Sequence, residues 1–397
     1  MNLGKEKIID RLTDSMLNNH SLYSFSSNEI IDIVVNSYRE ALISEKKKEE
    51  NTIVHKTLAD IPNQYGVGNL EINLPLVNLC REEVLNGRQI SIQNELIKSK
   101  NSRPRRSYEL NDEMFAVTDI GNRRTNQEDS VLILYHPKNP KYKMLVVADG
   151  MGGHKDGEKA SQEIVRQMVE WFEKLPLEYM EVGKGGMLKG EWARELQNIN
   201  DVVNENYTDS GSTFVGAIVG EEFTHIASIG DSRGYIVDNN DELYQITDDD
   251  SPEYTRWKND WERYQNGLVR DLSQNEIETK MQQKDNIRFS VNSHLIANCI
   301  GAGISRPNVN FYTIPNKEYK TLMLFSDGVT DCLSDSQIKA ITKSTDKKDL
   351  ARMIVEEALE KQSFNENLAT DPNYNSFIPA GKDNTSAVIY NNNTEER

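Results

Sequence analysis

Cysteine is scarce in this 397-residue chain: Cys80, Cys299 and Cys332, odd in number and far apart. No C-x-x-C pair occurs, which excludes a zinc knuckle and a disulfide framework and points to a reducing compartment. Long apolar runs are missing as well. No stretch of about 18 apolar residues exists to cross a bilayer, and the N-terminus, MNLGKEKIIDRLTDSM, lacks the apolar core of a secretory leader. A cytoplasmic location is the expectation. Positive charge is in deficit, since 46 basic against 63 acidic residues leave a formal charge of −17. That balance argues against nucleic acid as a partner, because phosphate neutralisation needs a basic surface. It also argues against an anionic membrane, whereas a cationic metal would be welcome among the carboxylates.

The length suits one large domain plus an extension. Residues 1–97 read as a helical N-terminal extension. Ser26-x-x-Glu29 fits a capping box, and Ile30, Ile31, Val34, Val35, Tyr38 and Leu42 share a helical face. A second helix is expected from Pro75 to Gly87. This region has no motif that names its role; docking a partner, autoinhibition and oligomerisation are all open. Residues 98–111, containing KSKNSRPRRS, are basic and polar and read as a linker, with a partner-binding patch as the sharper alternative.

From residue 112 to 391 the texture changes to short strands: EMFAVTDIG, SVLILYH, KMLVVAD, STFVGAIVG, FTHIASIGD, RGYIVDN, TLMLFSD and TSAVIYN. Between the third and fourth lie two helical stripes, Ile164–Met168–Trp171–Phe172–Leu175 and Leu188–Trp192–Leu196–Ile199–Val203. A last helical region is expected over 335–362, opened by Ser334 or Asp335. Helices set between runs of mainly antiparallel strands predict a layered α+β sandwich rather than a βαβ alternation. Residues 392–397 read as a frayed tail.

The informative feature is where the acids fall. Asp149 ends KMLVVA, Asp231 ends HIASIG, Asp327 ends LMLFS, Asp383 precedes TSAVIY, and Glu128-Asp129 precede SVLILY. A single Asp-Gly after a strand is usually a turn. Several acids converging in a buried place repel one another and lose hydration, so they call for a cation. Oxygen donors alone select a hard divalent metal, Mg²⁺ or Mn²⁺. Two such ions can share a water and lower its pKa for in-line attack.

Five blocks in order carry a resemblance: TDIGNRRTNQEDS (118–130), VVADGMGGHKDGEKAS (146–161), GSTFVGAIV with IGDSRGYIV (211–219, 229–237), FSDGVTDCLSD (325–335) and GKDNTSAVIY (381–390). Together they resemble the metal-dependent serine/threonine protein phosphatases of type 2C, in their bacterial form, across 112–391. The resemblance implies a four-layer αββα sandwich with a dinuclear metal centre. It implies that Asp149 bridges both ions and Gly150 lends its carbonyl. Asp327 and Asp383 would be terminal ligands of one ion, and Glu128 and Asp129 would serve the other. Asp231 and Asp331 match a third site found in many members, and Arg124 matches the phosphate-clamping arginine, with Arg123 the competing candidate. The implied partner is a phosphorylated protein, the target of a Ser/Thr kinase.

Some positions depart from the family. Met151 stands where some members have a proton-donating His, so His154 becomes a candidate acid, second to its reading as a loop-packing histidine. Gln127 replaces the usual Asn. In ITDDDS, Asp250 replaces a His, which reads as a surface loop substitution, with an effect on the flap and substrate edge as the alternative. Residues 251–300 fill the place of the family's flap, where Tyr254, Trp257, Trp261 and Tyr264 interleave with Arg256, Lys258 and Arg263. That pattern reads as an amphipathic helix or as a substrate-receiving edge. Three functions follow: protein phosphoserine/phosphothreonine hydrolysis, the same chemistry on a narrow regulatory or small substrate, and non-catalytic binding of a phosphorylated partner. Retained acids at every ligand position disfavour the last.

Overall fold

In the computed structural model, β-branched and aromatic runs become two antiparallel sheets, and the two helical stripes become helices packed on one of them. The structure describes residues 91–93, 105–110, 112–151, 156–180, 185–265, 295–369 and 383–392, with residues 283 and 287 between. The elements in order are β1 (Ser91–Gln93), β2 (Arg105–Leu110), β3 (Met114–Asp119), β4 (Asp129–His136), β5 (Asn139–Met151), α1 (Gly157–Lys174) and α2 (Gly185–Asn206). Then come β6 (Gly211–Ser212), β7 (Phe214–Val219), β8 (Phe223–Ile229), β9 (Arg233–Asp238), β10 (Leu243–Gln245) and α3 (Pro252–Gln265). The chain closes with β11 (Ile300–Gly301), β12 (Asn310–Pro315), β13 (Tyr319–Phe325), α4 (Asp327–Thr330), α5 (Asp335–Ser344), α6 (Leu350–Ala369) and β14 (Thr385–Asn391).

One sheet runs β1-β2-β3-β14-β13-β9-β10; the other runs β11-β6-β5-β7-β8-β12, with β4 also paired to β5. Three apolar cores separate four layers. Leu145, Val147, Val215 and Ala217 meet Ala116, Leu322, Leu324 and Val388 between the sheets. Ile164, Met168, Phe172, Trp192 and Leu196 cover the far face of the second sheet, as their helical spacing requires. Ile338, Ile354, Val355 and Ala358 cover Phe115, Met323 and Ile389 on the other. The fold is therefore the αββα sandwich.

Each of the eight strands read from the sequence has its counterpart, as do α1 and α2. The last helical region divides into α5 and α6. Ser334 caps α5 in a capping box with Gln337. Three readings near the ends of the sheets need correction. Arg105–Leu110, assigned to a linker, is a strand in register with β3, from Arg105 opposite Asp119 to Leu110 opposite Met114. Tyr108 and Leu110 are buried in the inter-sheet core, so apolar burial overrides the polar composition around them. Ser91–Gln93, assigned to the helical extension, pairs with β2. At the other end, Asn392 is not frayed: its N–H donates to the Lys320 carbonyl at 2.9 Å and its amide to the Tyr319 carbonyl at 2.9 Å. The rest of 1–97, and 393–397, lie outside the described residues. Among the described residues, no helix is long and apolar enough to cross a membrane.

Candidate active site

Pairing places the acids at one end of the sandwich. In the second sheet Asp129 opens β4 directly opposite Asp149 near the end of β5. Beside them, β7 begins at Phe214 opposite Ile229, the last residue of β8, and Gly230 (φ +93°) turns the chain into Asp231. In the first sheet Phe325 ends β13 opposite Ala387, so Asp327 emerges where β14 begins, after Asp383. Gly150 is packed so closely that a Cβ there would collide with the Gly157 and Glu128 carbonyls. Only a bare Cα fits that approach.

Hydrogen bonds fix the acids. The Asp149 N–H donates to Thr213 Oγ1 at 3.1 Å, and its carbonyl accepts from the Thr213 N–H at 2.9 Å. Ser326 Oγ donates to Asp129 Oδ2 at 2.8 Å, tying one sheet to the other, and the Ser386 N–H donates to Ser326 Oγ at 3.0 Å. Asp129 Oδ1 is buried with no hydrogen-bond partner. Arg124 reaches Glu128 Oε2 at 3.1 Å and Asp383 Oδ2 at 2.7 Å from its two terminal nitrogens.

The electrostatics are those of crowded carboxylates. Burial first, then the charges of Asp327, Asp129, Asp383 and Asp231, holds the Asp149 carboxyl well above the usual range. Burial pushes Asp129 up to about 7, against the Ser386 and Ser326 hydrogen bonds. Glu128 is raised by burial and held back by Arg124. Such a set is costly without a cation.

Of the residues singled out from sequence, Asp149, Asp129, Glu128, Asp231, Asp327, Asp383, Gly150 and Arg124 are thus gathered at one end. Among the described residues no three acids close on a common point as a finished ligand shell. Asp331 sits at the end of α4, its N–H donating to the Asp327 carbonyl at 2.7 Å. Arg123 is exposed, and His154 and Tyr264's side chain lie outside the described residues. The flap reading over 251–300 meets a helix at its start. Along α3, Tyr254 and Trp257 rings lie 5.6 Å apart and Trp257 and Trp261 stack at 6.1 Å.

Asp250 is not a loose surface substitution. Its carboxylate accepts from the Gly230 N–H at 2.9 Å, Asn298 Nδ2 at 2.7 Å and Asn310 Nδ2 at 3.1 Å. It therefore clasps the turn before Asp231 to the return from the flap. The neighbouring Asp249 is buried in a forked pair with Arg233, at 2.8 Å from Nη2. Sequence reasoning also missed Asn384, Gln362 and Ser326, whose residue types carry no chemical signal by themselves.

The protein phosphatase 2C family model matches residues 122–370. The chain belongs to the protein phosphatase 2C family. As a member it is a protein phosphatase. It is 28% identical to a serine/threonine phosphatase stp of Listeria welshimeri over 57% of this chain and 81% of that one. It is 27% identical to protein phosphatase PhpP of Streptococcus pneumoniae over 58% and 85%. In fold it resembles Stp1 from Staphylococcus aureus, with a TM-score of 0.53 at 24% identity over 70% of this chain and 94% of that one.

Proposed function

We propose that this phosphatase hydrolyses phosphoserine and phosphothreonine in proteins, using divalent Mg²⁺ or Mn²⁺ held by the acids around Asp149. The observation that carries the reading is the buried Asp149 carboxyl, crowded by four other aspartates. The buried Asp129 Oδ1 with no hydrogen-bond partner supports it. All donors are hard oxygens, which fit Mg²⁺ or Mn²⁺. Asp149, the Gly150 carbonyl, Glu128, Asp129, Asp327 and Asp383 would hold two ions, and Asp231 and Asp331 a third. When bound, such ions lower the pKa of a water and neutralise charge that develops on the phosphoryl oxygens.

The chain's own groups supply the rest. Arg124 stands at the exposed rim with its side chain 42% accessible and both arms of its fork aimed at the acid end. A planar guanidinium can grip two phosphoryl oxygens at once, which orients the ester for attack. Ser326 and Thr213 hold Asp129 and the Asp149 backbone, so little reorganisation remains at the moment of reaction. Met151 cannot carry a proton; the departing seryl or threonyl oxygen would take one from water at the site, with His154 the lesser candidate because it reads first as a loop-packing histidine. The names of the two bacterial relatives agree with a phosphoprotein substrate, the product of a Ser/Thr kinase.

The test is phosphate release from a phosphothreonine peptide with added Mn²⁺ or Mg²⁺ and after chelation. Release is expected only with metal. Asp149→Asn and Asp327→Asn should each cost more than the about 10–100-fold typical of outer partners of a metal site. No release with either ion overturns the reading.

A further inference from the structure

Asn384 is 1% exposed and follows Asp383 immediately. Its backbone N–H donates to Asp383 Oδ1 at 2.9 Å. Its side chain serves the other side of the site: Oδ1 accepts from the Glu128 N–H at 2.7 Å. Nδ2 donates to the Ile120 and Asn126 carbonyls, each at 2.9 Å. One amide thus grips both ends of the loop that carries Arg124 and delivers Glu128. The task needs one acceptor and two donors in a single planar group, which a carboxylate cannot supply.

The clasp is reinforced from two directions. Gly328, just after Asp327, packs so tightly on the Asn384 carbonyl that a Cβ would overlap it. From α6, the buried Gln362 donates to the Asp383 carbonyl at 3.3 Å and to Thr385 Oγ1 at 3.0 Å. Its Oε1 accepts from the Asn122 N–H at 3.4 Å. The backbone of Asp383, the Arg124 loop and Asp327 are therefore all referred to one residue.

We propose that Asn384 is a positioning residue for the phosphatase reaction, fixing Glu128 and Arg124 against Asp383, with Gln362 as its support. The inference rests on the reading of these acids as metal holders. A purely structural stitch is the competing account, and the molecule contains a comparison for it. Asn316 is also buried and also ties backbone, donating to the Gly220 carbonyl at 2.8 Å and accepting from Thr224 Oγ1 at 2.8 Å. Its partner Thr224 lies near the start of β8, whereas Asp231 follows the end of that strand.

The experiment titrates Mn²⁺ calorimetrically into the full chain. It pairs this with the melting temperature and with kcat and KM on a phosphothreonine peptide. Asn384→Ser and Asn384→Asp should weaken Mn²⁺ binding about 10–100-fold and raise KM as Arg124 slackens. Asn316→Ser should lower the melting temperature while leaving Mn²⁺ affinity and KM within about twofold, as distant sites act independently. Gln362→Leu, which removes the bonds to the Asp383 carbonyl, Thr385 and the Asn122 N–H but leaves the Asn384 amide in place, should shift Mn²⁺ affinity the same way by less, and serves if the Asn384 variants fail to fold. Asn384 or Gln362 variants that melt lower but match wild type in Mn²⁺ affinity and KM overturn the inference alone. A wild-type chain that neither binds Mn²⁺ nor releases phosphate overturns it together with the proposed function.

Discussion

Arg124 shows how one side chain's shape, beyond its charge, is put to use. Its two terminal nitrogens engage two different acids, and a lysine ammonium cannot reproduce that fork. Arg124→Lys should therefore behave nearly as badly as Arg124→Ala. Charge-assisted hydrogen bonds are worth about 1.5–3 kcal/mol, so kcat/KM for the phosphopeptide should fall about 10–100-fold in both. Steady-state kinetics with saturating Mn²⁺ decide it; Arg124→Lys at wild-type activity would reassign the clamp. Arg124 could be singled out because the block that carries it resembles the family's, where an arginine clamps phosphate. Asn384 could not, because an asparagine beside an aspartate looks like any turn until its three distant partners are seen.

The joint between β4 and α1 carries a titratable lock. His136 is buried at the end of β4, where Nδ1 accepts from the Lys138 N–H at 3.3 Å. That leaves Nε2 as the protonated nitrogen facing the Leu175 carbonyl at 3.2 Å, with the ring edge-on to Phe172 at 5.1 Å. Both nitrogens are satisfied only in the neutral ring. Burial accordingly lowers its pKa below the usual imidazole value. The unfolded chain then binds a proton that the folded chain refuses, so stability is complete above about pH 6.5 and is lost as pH falls below it. The raised Asp129 and Asp149 carboxyls act in the opposite sense over this range in wild type and variant alike, so the melting-temperature advantage of wild type over His136→Gln should shrink between pH 7.5 and 5; an unchanged difference would acquit the histidine. Strand and helix identities were legible here because Leu132, Leu134, Ile164 and Met168 obey periods of 2 and 3.6. The interlock was not, since it pairs residues that only the fold brings together.

The catalytic unit starts earlier than its acids suggest. A chain beginning at residue 112 would lack β2, exposing the edge of β3 and removing Tyr108 and Leu110 from the inter-sheet core. Losing two large buried side chains costs roughly 2–5 kcal/mol each, so this shortened chain should melt well below one beginning before Ser91, or aggregate through its open edge. Equal melting temperatures would restore the linker reading. Arg105 and Arg106 disguise this strand in the sequence, because only Ser107, Tyr108 and Glu109 separate them from the buried Leu110 and the basic run before them reads as spacer. The five acid-bearing blocks, by contrast, each end or begin a strand, and antiparallel pairing within each sheet together with the stacking of the two sheets brings them to one end.

The same register sets where other proteins can be joined to this one. β14 leaves the acid end at Thr385 and finishes at Asn391, and at about 3.3 Å per residue that carries the chain about 20 Å away. Asn392 is then anchored on Asn316 and Tyr319. A reporter joined directly after Asn392 therefore departs from the wall opposite the acid end and leaves phosphopeptides free to enter. β1 and β2 offer the reverse: Arg105 starts β2 level with Asp119, the rung next to Thr385. Cargo joined directly ahead of Arg105 would leave the first sheet at its acid end, where it becomes a steric stopper or, if it bears a phosphothreonine, a tethered substrate.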